Sequence, residues 1–154
     1  MFIILNNVRS AWNVGSIMRT SDAVGAKLIL IGYTPLPTGK TLELVKKTAI
    51  GAENTVPWEH FDHYGEVLDA YPELTHIGIE ISSTSQDLIS FLKDKTFDTS
   101  NIALWFGNEI AGLEKDLTKK LTHELHLPMK GMKESLNVAN TVCTVGYMFL
   151  EHSK

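Results

Sequence analysis

Cysteine is almost missing from this sequence: Cys143 is the only one among 154 residues. A disulfide framework is excluded, and so is a thiolate metal cluster. Set inside an apolar run, Cys143 reads as a small buried hydrophobe rather than a nucleophile or ligand. His60 and His63 have no second pair at ligand spacing, so no metal site is expected. Long hydrophobic runs are missing too. The stretch FIIL after Met1 is too short for a membrane span or a signal peptide, and the expected location is a reducing cytoplasm with no membrane partner. Excess positive charge is also absent: a net charge of −4 excludes the broad, salt-driven binding of a protein that coats nucleic acid. Arginine is scarce and unevenly placed. Both arginines, Arg9 and Arg19, lie near the start of the chain, and the remaining fixed cations are lysines. Any contact with a polyanion is therefore local, and arginine's planar fork is the side chain that grips phosphate at two points.

What is present is an ordinary globular composition, 44% hydrophobic and 21% charged, enough for one domain over residues 1–154. FIILN (2–6) reads as a buried strand, NVRSAWN as a loop, and Val14 to Val24 as a helix closed by Gly25. KLILIG (27–32) is the next strand, and TPLPTGK (34–40), with two prolines and a glycine, is a turn-rich loop. A short helix and turn over TLELVKKTAIGAE and a helix over EVLDAY lead to the strand HIGIEIS (76–82). QDLISFLK is helical, NIALWFG (101–107) a strand, LEKDLTKKL (113–121) a charged surface helix and ELHLPM (124–129) the last strand. Buried strands alternating with helices predict an α/β fold: a mostly parallel sheet with helices on both faces.

The last helix is unusual. From Ser135 to Leu150 it carries no charge, yet Asn137, Asn140, Thr141 and Thr144 follow one helical face while Val138, Val142, Val145 and Phe149 follow another. Ser135 is the expected N-cap. A helix with no Lys or Glu on its outer face is expected to be buried on nearly all sides, and buried amides left unpaired cost about 1–3 kcal/mol each. The polar stripe must then meet a partner subunit, a ligand or loop backbone.

In open parallel sheets ligands bind outside the carboxyl ends of the strands. Three loops meet that description: NNVRSAWN, FGNEIAG and PMKGMKES. None is a known phosphate loop, since G-x-G-x-x-G is absent and GNEIAG lacks the Lys and Ser/Thr of a nucleoside triphosphatase.

Read with their neighbours, N-x-R-S-x-x-N-V-G-S-I-x-R-T (7–20), FGNEIAGL (106–113) and LPMKGMKESLNVANTV (127–142) resemble the three motifs of the SpoU class, or TrmH family, of the SPOUT superfamily of RNA methyltransferases. The likeness runs in order along essentially the whole chain. It implies transfer of a methyl group from S-adenosylmethionine to a ribose 2′-hydroxyl, on tRNA in the first instance and on rRNA as the alternative. A knotted module that binds RNA or cofactor without turnover is the reading from another class. The implied fold adds a deep C-terminal trefoil knot, and the implied assembly is a homodimer with the last helix in the interface and the catalytic arginine beside the other subunit's cofactor.

By match, the resemblance places Asn13, Arg19, Glu109, Ser135 and Asn137 in the catalytic set, and Glu80, Gly107, Leu127, Met129, Ser135 and Leu136 around the cofactor. An arginine is hardly ever neutral, so Arg19 is expected to hold the phosphate beside the target ribose, the phosphate or a water taking the proton. Glu109 is expected to fix loop geometry, or simply to cap the Gly112 turn. Relative to larger members the sequence shows no appended RNA-binding domain, so target contacts are expected from the core: Arg9, Arg19, Lys40, Lys46, Lys47, Lys130 and Lys133.

Overall fold

The computed structural model describes residues 1–154. Seven strands, β1 (Phe2–Asn6), β2 (Lys27–Ile31), β3 (Trp58–Phe61), β4 (Thr75–Ile79), β5 (Gln86–Asp87), β6 (Ile102–Phe106) and β7 (His123–His126), form one sheet in the order β3-β2-β1-β6-β4-β7-β5. Every pairing is parallel. The helices are α1 (Ala11–Val24), α2 (Leu42–Ala49), α3 (Tyr64–Ala70), α4 (Leu88–Leu92), α5 (Lys115–Thr118) and α6 (Val138–Glu151). Side chains alternate across each strand, and both faces are covered. Ile3, Leu5, Leu28, Leu30, Leu104 and Phe106 pack under α1, α2, α4 and α6. Ile4, Ile29, Ile31 and Trp105 pack under α3 and α5.

The sheet departs from expectation at its edges. β3 is not foreseen, because WEHF offers no apolar run: Glu59 accepts from Lys27 Nζ at 2.7 Å and from the Tyr71 hydroxyl at 2.6 Å. The other edge, β5, is only Gln86–Asp87, the start of a segment expected to be helical throughout. α5 is one turn, not the whole of 113–121. α1 begins at Ala11 because the Ser10 hydroxyl accepts from Asn13 N–H at 3.3 Å, so Asn13 sits in the first helical turn and not in the loop.

α6 corrects two expectations. Its N-cap is Asn137, whose Oδ1 accepts from the N–H groups of Ala139 and Asn140 at 2.9 and 3.4 Å; Ser135 lies in the exposed segment before the helix. Nor is the helix buried on nearly all sides. Val138, Val142, Val145 and Phe149 meet the core, while Asn140, Cys143, Thr144 and Tyr147 are exposed, so Cys143 is not a core residue. The polar face satisfies itself: Thr141 and Thr144 hydroxyls donate to the carbonyls of Asn137 and Asn140 at 3.1 and 3.0 Å.

Candidate active site

At the carboxyl ends of β4, β6 and β7 the chain encloses a cavity of about 600 Å³. Its floor is Ile79 and Phe106, its sides are the segments 107–112 and 127–138, and α6 closes it through Val138 and Thr141. The position follows the general rule for parallel sheets, outside the carboxyl ends of adjacent strands, here β6, β4 and β7. A second cavity of about 440 Å³, lined by His126, Gly131 and Lys133, shares Ile81, Leu127, Met129 and Glu134 with the first.

The loop after β6 is held from several sides. Asn108 Oδ1 accepts from the N–H groups of Ile110 and Ala111 at 2.8 and 2.9 Å, and Gly112 N–H donates to the Asn108 carbonyl at 2.9 Å. Gly112 has φ +68°, and a Cβ there would strike the Glu80 carboxylate, so glycine is required twice over. Glu80 Oε2 accepts from Leu113 N–H at 2.8 Å and Oε1 from Ile81 N–H at 3.1 Å. Glu80 therefore lines the cavity with a carboxylate committed to the loop. Gly107 lies so close to the backbone of Gly112 and Leu113 that a methyl group has no room.

Three separate parts of the chain meet at the mouth. Asn137 Nδ2 donates to Asn13 Oδ1 at 3.1 Å, and Asn13 Nδ2 donates to Glu109 Oε1 at 3.0 Å. The Glu109 carboxylate also accepts from the N–H groups of Arg9 at 3.0 Å and Ser10 at 3.4 Å. Burial pushes the Glu109 pKa up, but the hydrogen bonds from Arg9, its own backbone, Asn13 and Ser10 outweigh burial and hold it below the usual carboxylate range. Glu109 is thus an ionised clamp on the loop after β1 and the first turn of α1. The Gly112 turn is closed by Asn108 and Glu80 instead.

Of the residues matched by motif, Glu80, Gly107, Glu109, Leu127 and Met129 line the cavity with Ser135, Leu136 and Asn137, and Asn13 joins them through its two hydrogen bonds. Arg19 does not: it is exposed on α1, outside the lining. Arg9, Lys40, Lys46, Lys47, Lys130 and Lys133 are all exposed, and Lys46 contacts Glu43 at 3.3 Å. The sequence reading missed Asn108 and Ile110, although both stand in the quoted FGNEIAGL, and it missed Tyr33, which accepts a hydrogen bond from Asn108 Nδ2 at 2.8 Å. No three His, Cys, Asp or Glu side chains converge in a way that would hold a metal ion. No helix is long and apolar enough to cross a membrane.

Comparison with known proteins places this geometry. The model of the SpoU rRNA Methylase family matches residues 1–147. A 23S rRNA (guanosine-2′-O-)-methyltransferase of a Burkholderia species is 31% identical over 146 residues, covering 93% of this chain and 56% of its own. The SpoU methyltransferase AviRb of Streptomyces viridochromogenes, solved with AdoMet, superposes with a TM-score of 0.81 at 25% identity, covering 98% of this chain and 57% of its own. A structure described as giving insight into 2-OH methylation of C/U34 on tRNA shares the fold, with a TM-score of 0.83 at 24% identity, covering 98% of this chain and 94% of its own. The chain spans about half the length of the curated relatives it matches.

Proposed function

The chain belongs to the SpoU rRNA Methylase family, and on that premise we propose that its site transfers the methyl group of S-adenosylmethionine to a ribose 2′-hydroxyl of RNA. The observation that carries this reading is the joint of Asn137, Asn13 and Glu109, which ties three motifs together at the mouth of one cavity. The residues fit the cofactor. A cavity of about 600 Å³ is of small-molecule size. Leu127, Leu136 and Val138 give it apolar walls for a purine over the Phe106 floor, and Gly107 lets the loop after β6 fold closely onto Gly112 and Leu113 at its side. Gly107, Leu127, Met129, Ser135 and Leu136 would hold the cofactor, with Glu80 keeping the loop in place. Bound there, it supplies a methyl group on a sulfonium that leaves without acid assistance.

The chain's own residues do the rest by alignment. Asn13 and Asn137 orient the ribose at the mouth, and Glu109 keeps the loop after β1 in register with the loop after β6. Arg19 lies outside its own cavity, which supports its service to the cavity of a second copy. In this reading two chains pair through the exposed neutral face of α6, with the family's knot at its base. Arg19 holds the phosphate beside the ribose and that phosphate or a water takes the hydroxyl proton. tRNA is the preferred substrate; rRNA is the second reading, favoured by the 23S rRNA specificity in the Burkholderia relative's name.

The test is incubation with radiolabelled S-adenosylmethionine and, separately, bulk tRNA and rRNA lacking endogenous modification. Label recovered as alkali-resistant dinucleotide from one pool, and lost with Arg19→Ala, is the expected result. Retained cofactor binding with no label in either pool would leave a binding module. An Arg19→Lys protein with near-normal turnover would remove the two-point phosphate grip.

A further inference from the structure

Tyr33 follows β2 and is 62% exposed, yet it is held firmly. Its hydroxyl accepts from Asn108 Nδ2 at 2.8 Å, and its backbone N–H donates to Asn7 Oδ1 at 3.3 Å. The same Asn108 amide donates to the Asn7 carbonyl at 2.9 Å. The next residue, Thr34, is buried: its hydroxyl donates to the Ile31 carbonyl at 2.7 Å and accepts from Val8 N–H at 3.1 Å. So the ring is pinned at both ends, and its pins are Asn108, which lines the cavity, and the loop that carries Arg9. The Arg9 guanidinium is exposed one residue from Val8, with its backbone N–H on Glu109. A free aromatic side chain gains by folding down onto apolar surface; here hydrogen bonds keep the ring standing in water at the rim of the site.

We propose that Tyr33 is a stacking platform for a nucleobase next to the target ribose, with Arg9 on an adjoining phosphate. The inference rests on the RNA reading of the site and deepens it. Stacking is indifferent to base identity but needs a base with an exposed face, so the substrate must present unpaired nucleotides at this point. The pinning to Asn108 makes the platform rigid relative to the cavity, so a stacked base would fix the ribose beside it.

The experiment measures binding of the full chain to a fluorescein-labelled single-stranded RNA of mixed sequence and to the same RNA fully paired, with S-adenosylmethionine binding by calorimetry as the control for the fold. The expected result is preference of the wild type for the single strand, a loss of about tenfold or more in Tyr33→Ala, a clearly smaller loss in Tyr33→Phe and Tyr33→Trp, which keep a stacking face but not the hydroxyl bond to Asn108, and unchanged cofactor affinity throughout. Tyr33→Phe falling as far as Tyr33→Ala would assign the residue to tethering Asn108 and overturn the platform. So would a Tyr33→Ala protein that binds single-stranded RNA as the wild type does; RNA methylation would then stand and only Tyr33 would be reassigned. Wild-type chain that binds the cofactor and neither RNA would overturn the RNA reading and the platform with it.

Discussion

The fully buried indole of Trp105 donates to Nδ1 of buried His76 at 3.0 Å, and Nε2 of the same ring lies 2.9 Å from the Tyr71 carbonyl. An indole only donates, so Nδ1 must keep its lone pair, Nε2 carries the proton and the ring is neutral. Burial pushes the His76 pKa down, outweighing the Tyr71 carbonyl and Glu73, which raise it. The unfolded chain takes up this proton near pH 6.5 and the folded chain only below that. The ring's contribution to stability is therefore complete above about pH 6.5 and is lost as pH falls toward the folded value, at most about 1.4 kcal/mol per pH unit. Urea midpoints of the wild type are expected to drop between about pH 7 and pH 5.5. His76→Phe is expected to flatten that slope while costing about 1–3 kcal/mol at neutral pH, because the Trp105 N–H loses its acceptor; an unchanged slope would place the titration elsewhere. Asn137 allows a second single-residue prediction, since its Oδ1 caps α6 and its Nδ2 binds Asn13. Asn137→Asp keeps the cap and loses the donor, so Tm is expected to hold while turnover falls about a hundredfold. Parallel loss of Tm would show the residue to be structural. Asn13, Glu109 and Asn137 were legible in the sequence because each stands inside a motif. Tyr33 was not, because what fixes it is an amide 75 residues further along the chain.

Where α1 crosses α2, Gly15 sits against the Val45 carbonyl oxygen and the Thr48 hydroxyl, and a methyl group at Gly15 would run into both. Alanine is the better helix former by about 1 kcal/mol. Overpacking costs about 1–3 kcal/mol, and a carbonyl fixed in the α2 backbone cannot turn aside as a side chain would. The clash is expected to win, so Gly15→Ala lowers Tm, and a raised Tm would mean that the two helices slide apart freely. Elements buried on both faces were easy to read: FIILN, KLILI and IALWF are almost wholly apolar because each strand has a core above and below. The edge strands were not, since β3 turns Glu59 and His60 toward partly open surroundings and β5 has only two residues. The start of α1 was missed for a different reason. Ser10 is a good N-cap, but Trp12 and Asn13 after it give no apolar period, and the first turn is fixed by Glu109 from the other half of the chain.

For the whole molecule the question is which chain's Arg19 serves which cavity. One copy encloses the cavity and the Asn137, Asn13 and Glu109 joint by itself, and leaves Arg19 outside the lining with Asn140, Cys143, Thr144 and Tyr147 exposed on α6. A pair in which each chain lends its arginine to the other makes a prediction that a self-sufficient monomer does not. Arg19→Ala and Asn137→Asp chains are each expected to be inactive alone. Unfolded together and refolded as a mixture, half of the pairs would combine one of each, and one of the two cavities in such a pair would have an intact lining served by an intact arginine. About a quarter of wild-type turnover should return. If Arg19 serves the cavity of its own chain, every cavity in the mixture lacks either the arginine or the amide, and nothing returns. Thr144→Glu places a charge on the neutral face of α6 and is expected to shift the sedimenting species from two chains to one while leaving cofactor binding in place. The mixture made with that change in both chains should stay inactive, which separates pairing through α6 from any other route by which two defective chains might help each other.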